Sequence, residues 1–409
     1  MPDFAQTLNY ATYYQRALEQ AFPYVLYFGK LYSTPNNGRF KWINSKTIEI
    51  PSISTSGRTN ADRDSIGTAQ RNYNNAWETK TLTNERKWST LVHPKDIDQT
   101  NLAASISNIT QEFNNQHKFP EMDAYTISKI YYDWTTSVAA TTGHNAYVGR
   151  VADTTAPTVN SVLSIFDSLM LNMDNARVPV TGRILYVTNE VKVLLKNAST
   201  IQRNWDVQSS ADMINRNVNR LDEVEIIGVP SELMRTLYDF SDVNGWAPDP
   251  IAKQINMMLI HPMAVIAPVS YTFSKLDSPC ALSEGKYYYY EESFEDVFIL
   301  NMKADAIQFN VSTITASGLT VTSVAGTASG DTKITVSPAK GTGNSYYYSV
   351  ANAGSLRLPG NGTAASSFGT SWDGTSDITA ATGKDIGIVE ANSDGLVIKG
   401  GKTTVTAHA

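Results

Sequence analysis

The sequence predicts an α+β body followed by a small all-β sandwich at its C-terminal end. Three observations support this fold class. The composition changes sharply near Ser312, beyond which the chain is rich in Gly, Ser, Thr and Ala. Early in the body, two alternating segments flank a polar stretch, as the arms of a long hairpin do. Apolar residues with helical spacing follow the hairpin and then give way to mixed helical and extended patterns.

Length and composition limit the classes of protein that fit. A chain of 409 residues is too long for one ordinary core, so two or three domains are expected. The net charge of −6 argues against a dedicated nucleic-acid binder, which needs clustered Lys and Arg. No apolar run approaches the ~20 residues that cross a bilayer, and the first residues show no signal-peptide pattern. We therefore expect no membrane segment and no export by that route.

The hairpin is predicted over residues 39–92, with the polar stretch SGRTNADRDSIGTAQR at its tip. Arms of about 15–20 residues would reach roughly 50–65 Å at ~3.3 Å per residue. A two-stranded ribbon is marginal in water by itself. The sequence therefore predicts that this ribbon lies on its own body or on a neighbouring copy.

Two helices are predicted after the hairpin. The first carries an apolar face: Leu102, Ile106, Ile109 and Phe113. Pro120 is expected to end that pattern and to begin the next helix, which carries a stripe from Ala124 to Val138.

A region of helices and strands follows. Its first helix carries Val162, Ile165, Phe166, Leu169 and Met173. Ile184–Val187 is predicted to be a strand, and Thr188 is predicted to cap the next helix. The body is expected to close on one long strand, Tyr287–Val311. Because neighbouring residues of a strand face opposite sides, two of its four initial tyrosines should pack inward.

From Thr313 to Ala409, short alternating runs are separated by turns rich in Gly and Asn. This pattern is typical of a small β-sandwich. A disordered tail is the alternative, and the regular alternation argues against it.

No catalytic or metal-binding set is recognisable. None of the five histidines is paired at metal-ligand spacing, and His261 before a proline is interpreted as a turn or packing residue. The single cysteine, Cys280, excludes an intrachain disulfide. GTGNS (341–345), WDGTSD (372–377) and NSDG (392–395) are interpreted as turns rather than phosphate or calcium loops. We expect no enzyme activity and no cofactor.

The order of these segments resembles the major capsid protein family of tailed bacteriophages, which has the Hong Kong 97 fold. The resemblance covers about residues 1–312 and includes HPMAVIAPVSY (261–271) followed by FILNMKADAIQF (298–309). It implies an N-terminal arm (1–38), an extended E-loop hairpin (39–92), a peripheral domain (93–154 and 269–312) with a spine helix (Glu121–Ala139), and an axial domain (155–268). The C-terminal residues 313–409 resemble the immunoglobulin-like domains that some phage capsids display.

This resemblance implies a structural protein of the virion capsid, assembled in the cytoplasm of a host bacterium. Hexamers and pentamers of the chain would form an icosahedral head shell around double-stranded DNA, without sequence-specific contact. Portal and scaffolding proteins would be its partners. Weak contact of the β domain with glycans is a further hypothesis.

The resemblance also implies assembly-interface residues. The candidate hairpin anchors are Trp42, Trp77 and Trp88, since large aromatic residues dominate interface energetics. The candidate cations at the hairpin tip are Arg58, Arg63 and Arg71. Their expected partners are the acids of EESFED in an adjacent copy: Glu291, Glu292, Glu295 and Asp296. A solvated loop is the alternative for the arginines.

Some members of that family form Lys–Asn crosslinks from this loop. No lysine lies between Lys46 and Lys80, so we expect no such crosslink from the tip. A different function remains an alternative: a cell-surface or S-layer-like binding protein with an adhesive β domain. It would need an export signal.

Overall fold

A computed structural model describes residues 24–58, 71–99, 105–136, 150–198, 218–241 and 245–409. These residues fall into two compact units. Unit 1 is drawn from within 1–153, 158–233 and 257–309, and unit 2 from within 154–157, 234–256 and 310–409.

The helices are α1 (Gly29–Tyr32), α2 (Pro94–Gln99), α3 (Ile106–Phe113), α4 (Phe119–Thr136), α5 (Val162–Asn175) and α6 (Asn189–Asn197). The strands as far as Ser312 are β1 (Lys41–Asn44), β2 (Thr47–Thr55), β3 (Tyr73–Thr81), β4 (Glu85–Val92), β5 (Ile184–Thr188), β6 (Arg220–Leu221), β7 (Val224–Val229), β8 (Tyr238–Asp239), β9 (Ala247–Pro248), β10 (Gln254–Ile260), β11 (Val265–Ile266), β12 (Val269–Asp277), β13 (Tyr287–Glu295), β14 (Phe298–Ile299) and β15 (Ile307–Ser312). The remaining strands are β16 (Thr320–Ala325), β17 (Asp331–Ser337), β18 (Ser345–Ala351), β19 (Thr370–Trp372), β20 (Ile378–Thr379), β21 (Asp385–Ala391) and β22 (Val397–Thr404).

A five-stranded sheet in the order β15-β10-β5-β7-β6 shares an apolar core with α5 and α6. Strands β5 and β7 are parallel and are joined through α6, while β10 runs antiparallel to β5. The predicted apolar face of α5 is confirmed, because all of its members are buried: Val162, Ile165, Phe166, Leu169 and Met173. The predicted cap is confirmed too, since Oγ1 of Thr188 accepts a hydrogen bond of 3.3 Å from the Val191 amide.

A buried carboxylate on α4 holds the segment that begins at residue 24. Asp123 accepts hydrogen bonds from the Tyr24 hydroxyl at 2.6 Å, the Tyr27 amide at 2.9 Å and the Phe28 amide at 3.0 Å. Phe28 and Leu31 of this segment are buried in unit 1. Residues 1–23 of the expected arm lie outside the described residues.

The helices around the proline differ from the prediction. Ser105 has an extended backbone, and its side chain caps the start of α3, so the expected single helix begins anew at this point. Leu102 lies outside the described residues. The helical backbone continues past Pro120. A π-helical turn, Asn114–Lys118, connects α3 to α4. The proline lies in the first turn of α4, where its missing amide hydrogen is not needed.

The predicted hairpin is shorter than expected. Strand β2 pairs with β3 from Thr47–Thr81 to Thr55–Tyr73, but β4 leaves this ribbon and pairs with β13. Strand β4 is separated from the ribbon by residues 82–84. In this segment Leu82 is buried, and the Thr83 amide donates a hydrogen bond of 2.8 Å to Asp296. The paired arms of nine residues each extend only ~30 Å.

The expected closing strand is also divided. Strand β13 ends at Glu295, and the short β14 and a 3₁₀ helix, Asn301–Ala306, precede β15. Strands β13 and β15 belong to different sheets, so the chain must change direction between them.

Unit 2 contains the predicted β-sandwich. Its antiparallel sheets have the orders β16-β17-β20 and β19-β18-β21-β22, and they share a core that includes Val321, Trp372, Ile386 and Ile388. The alternating runs GLVIKG (395–400) and KTTVTAHA (402–409) both contribute to one strand, β22. In this strand Gly401 lies so close to the preceding chain that a Cβ atom would be 2.1 Å from the Leu319 carbonyl oxygen.

We expect Asp123→Asn to lower the free energy of unfolding of unit 1 by about 2–4 kcal/mol, because the amide nitrogen cannot accept the hydrogen bonds that one carboxylate oxygen accepts. Denaturant titration monitored by tryptophan fluorescence measures the change. Asp98→Asn, on the exposed side of α2, is the control and should change it by less than about 0.5 kcal/mol. Equal effects of the two substitutions would contradict the role of Asp123.

His261 is a packing residue, as expected from the sequence. Its Nδ1 accepts from the Met263 amide, and its Nε2 lies 3.2 Å from the Thr181 carbonyl oxygen. Burial lowers the pKa of His261 below its ordinary value of 6.5. The unfolded chain therefore binds a proton at higher pH than the folded chain does.

Stability contributed by neutral His261 should therefore be present above pH 6.5 and be lost as the pH falls towards the folded-state pKa. The free energy of unfolding of the wild type should fall more steeply with acidification than that of His261→Asn. Denaturant titrations at a series of pH values give both slopes. Parallel slopes would show that this imidazole does not titrate between the two states.

Candidate assembly surfaces

The ribbon of β2 and β3 has one bare apolar face. Directly opposed residues in an antiparallel pair share a face, and the pairs Pro51–Trp77, Ile53–Asn75 and Thr55–Tyr73 therefore lie on the same side. Ile53 is 71% exposed, Tyr73 56% and Trp77 51%. We call Pro51, Ile53, Tyr73 and Trp77 the ribbon stripe.

Among the described residues, the other face of the ribbon packs on the rest of unit 1 at the base of the ribbon. Ile48 is fully buried and packs in a cluster with Leu82, Ile266, Phe294 and Phe298. Farther along β2, Ser52 and Ser54 occupy this face and donate to carbonyl oxygens of β3. The ribbon is thus anchored at one end, and its outer part has no apolar core within the described residues.

The predicted tryptophan anchors occupy three different environments. Trp77 belongs to the ribbon stripe. Trp42 on β1 is paired with Ile48 and lies on the opposite face, with its ring 5.5 Å from that of Phe40. Trp88 is outside the ribbon and stacks on Phe113 at a centroid distance of 4.0 Å. Its indole therefore packs within its own chain, because β4 joins the sheet that lies on α3.

The tip arginines are only partly described. Arg58 follows β2 and Arg71 precedes β3, so both are exposed at the outer end of the ribbon, and the guanidinium of Arg71 lies 5.8 Å from the Tyr73 ring centroid. Arg63 lies outside the described residues. The two described arginines add positive charge beside the outer end of the ribbon stripe.

The sheet β12-β13-β4 has one face packed on helices. In addition to the Trp88–Phe113 stack, Nε of Arg86 lies 2.6 Å from Glu121. Nζ of Lys118 lies 3.0 Å from Glu291 on the same face. Two of the four tyrosines, Tyr287 and Tyr289, point to this side, as the alternation predicted.

The opposite face of this sheet is aromatic and partly bare. Tyr271 and Phe273 of edge strand β12 are 47% and 39% exposed and stack at 6.2 Å. Tyr288 and Tyr290 stack beside them at 6.4 Å, and Leu91 of β4 is 54% exposed. We call Leu91, Tyr271, Phe273, Tyr288 and Tyr290 the aromatic face.

EESFED does not form one exposed acidic patch. Asp296 is 1% exposed and accepts from the Thr83 amide and the Tyr125 hydroxyl, so its expected contact with an adjacent copy is wrong. Glu291 is paired with Lys118, and burial raises the pKa of Glu295. The run is split because successive residues of β13 face opposite sides, which leaves Glu292 on the aromatic face.

Sequence reasoning missed Tyr271 and Phe273. The signal was present as an alternating Val269-Ser-Tyr-Thr-Phe run after two prolines, but alternation alone does not tell which side of a strand the rest of the chain covers. Only the pairing of β12 with β13 places these rings beside Tyr290.

Among the described residues, no group of three or more His, Cys, Asp or Glu side chains is placed to hold a metal ion. None of the described helices is long and apolar enough to span a membrane.

Comparison with known proteins finds similarity to a family model and to solved structures. A family model described as the S-layer protein SbsC C-terminal domain matches residues 324–408. No curated protein matches the chain.

Solved structures of phage heads are similar to the larger part. The mature capsid of bacteriophage PhiM1 has a TM-score of 0.55 and 13% identity, and the alignment covers 74% of this chain and 92% of that one. The capsid of cyanophage P-SCSP1u has a TM-score of 0.50 and 12% identity, with 74% and 92% covered. The head of Helicobacter pylori bacteriophage KHP40 has a TM-score of 0.50 and 11% identity, with 74% and 94% covered. The chain therefore has the Hong Kong 97-type fold of tailed-phage capsid proteins, followed by an all-β sandwich at its C-terminal end.

Proposed function

We propose that this chain is the major capsid protein of a tailed phage and that the ribbon stripe docks on an adjacent copy. The observation that carries the proposal is a capsid fold whose ribbon leaves Ile53, Tyr73 and Trp77 more than half exposed. A two-stranded ribbon gains little stability from its own pairing, so an apolar face of this kind favours a partner.

The aromatic face is the proposed receiving surface on the adjacent copy. It offers exposed rings for Ile53 and Trp77, and Glu292 lies on it for a tip cation such as Arg71. A stripe on one part of the molecule that fits a different part of the next copy makes a heterologous contact, and such contacts form rings when the rotation between copies closes. Hexameric and pentameric rings of this kind build the proposed icosahedral shell.

The shell would enclose double-stranded DNA and would assemble in the host cytoplasm with portal and scaffolding proteins as partners. The net charge of −6 suits a wall along which DNA slides, since binding would need cations that release counterions. In this proposal the chain has no catalytic role.

A second candidate is a cell-surface or S-layer-like binding protein. The match of residues 324–408 to the SbsC domain model favours it. The sandwich would then be an adhesive domain, with glycans as its proposed ligands. The two candidates differ in the product of assembly, which is a closed shell for a capsid and a flat lattice for a surface layer.

The product of assembly tests these proposals. The purified full chain, alone or with its neighbouring genes expressed, should sediment as rings or shells that electron microscopy shows to be closed. Flat sheets would favour the second candidate, and a monomer under all of these conditions would contradict both.

Substitutions test the ribbon stripe. Ile53→Ser and Trp77→Ser should each raise the concentration needed for assembly by about tenfold or more, because each removes a contact worth 1.4 kcal/mol or more. Neither should change the free energy of unfolding of the monomer by more than about 0.5 kcal/mol, since both side chains are exposed. Val324→Ser is the matched control, because Val324 is 55% exposed on the β-sandwich and should not affect assembly. Unchanged assembly of the two ribbon variants would contradict the proposed docking of the ribbon stripe.

A further inference from the structure

Three chemically complementary side chains meet at one end of the β-sandwich in unit 2. Oε1 of Glu390 accepts a hydrogen bond of 2.6 Å from Nδ2 of Asn344. Oε2 of the same carboxylate lies 3.4 Å from Nζ of Lys399. One carboxylate therefore separates a primary amine from a carboxamide.

Strand register brings these residues together. Glu390 on β21 is directly opposed to Tyr346 on β18 and to Lys399 on β22. Ile386 and Ile388 share its side of β21 and belong to the core of the sandwich. Asn344 stands two residues before Tyr346, at the end of the GTGNS turn that the sequence marked.

Glu390 is fully buried, which is costly for a carboxylate unless it has partners. Burial alone would raise the pKa of Glu390, but the Asn344 and Gly341 hydrogen bonds, together with Lys399, hold it below its ordinary value. The Gly341 amide donates to Oε1 at 2.8 Å. Oε2 lies beside Nζ of Lys399, so the ionised carboxylate adjoins the amine from which a proton must be removed.

We propose that Lys399 and Asn344 join through an intramolecular amide bond and that Glu390 transfers the proton. The bond forms between Nζ of Lys399 and Cγ of Asn344, and the bond that breaks joins Cγ to Nδ2. Ammonia leaves. The step changes no oxidation state and needs no reagent beyond the three side chains.

The Glu390 carboxylate lies next to both the attacking nitrogen, Nζ of Lys399, and the leaving nitrogen, Nδ2 of Asn344. Oε2 takes a proton from the Lys399 ammonium, and the neutral amine then attacks the Asn344 carbonyl carbon. The proton on Glu390 passes to Nδ2 as this nitrogen departs, and a second proton comes from the attacking amine. The products are a secondary amide and an ammonium ion, and Glu390 returns to its ionised form.

The surroundings favour this reaction. Tyr346 is 5% exposed and covers the side of Glu390 that faces β18. The Lys399 side chain is 39% exposed, so it has room to swing from Oε2 towards Cγ of Asn344. A buried base beside a positioned amine is the arrangement that activates lysine as a nucleophile.

The bond would tie β22 to the turn before β18, across the intervening β21. It would close a covalent loop of 56 residue positions, from Asn344 to Lys399, and so restrict the unfolded chain. This inference does not depend on the proposed shell function.

Intact-mass spectrometry of the purified full chain is the test. We expect a mass below that of the sequence by one ammonia, about 17 Da. Tryptic digestion should give a branched peptide that contains both Asn344 and Lys399, with no cleavage after Lys399. Full mass in the wild type, including after prolonged incubation, would overturn the proposal.

Variants separate this bond from other losses of ammonia. Lys399→Arg keeps the positive charge and should restore the full mass, as should Asn344→Ala and Glu390→Gln. Lys384→Arg, an exposed lysine outside the group, is the control and should keep the mass loss. A cyclic imide at Asn344 would also release ammonia, but it would persist in Lys399→Arg, and that result would refute the lysine bond.

Discussion

One buried carboxylate fixes the place where the ribbon leaves unit 1. Asp296 accepts from the Thr83 amide, from the Tyr125 hydroxyl on α4 and from the Val297 amide that follows β13. Burial raises the pKa of Tyr125, so its hydroxyl keeps its proton and remains a donor. The residue that follows the ribbon, a sheet and a helix are therefore held at one point, and this point fixes where the ribbon begins.

The contacts of Asp296 also explain which parts of the fold the sequence predicts. The apolar face of α5, the strand β5 and the cap at Thr188 depend on residues within one or two helical turns, so local spacing is sufficient. The end of the ribbon at Thr83 depends on Asp296, more than two hundred positions along the chain. No local sequence pattern contains that contact. The sequence therefore predicts one hairpin over residues 39–92, which is longer than the ribbon in the structure.

The assembly surfaces show the same limit. The resemblance made Trp77 a candidate anchor, but it gave the same status to Trp88, which stacks on Phe113. The acids of β13 were expected to act together, although a strand sends them to two faces. Aromatic residues and charges are visible in a sequence, whereas the side on which each one lies requires the partner strand.

The lysine-free interval between Lys46 and Lys80 has a practical consequence. The exposed ribbon from β2 through most of β3 offers no primary amine to a reagent such as an activated ester. Dyes or ligands coupled through lysine would attach elsewhere on the molecule and leave the ribbon stripe chemically untouched. Particles built from this chain could thus be decorated at random amines while the element proposed to connect their subunits keeps its native surface.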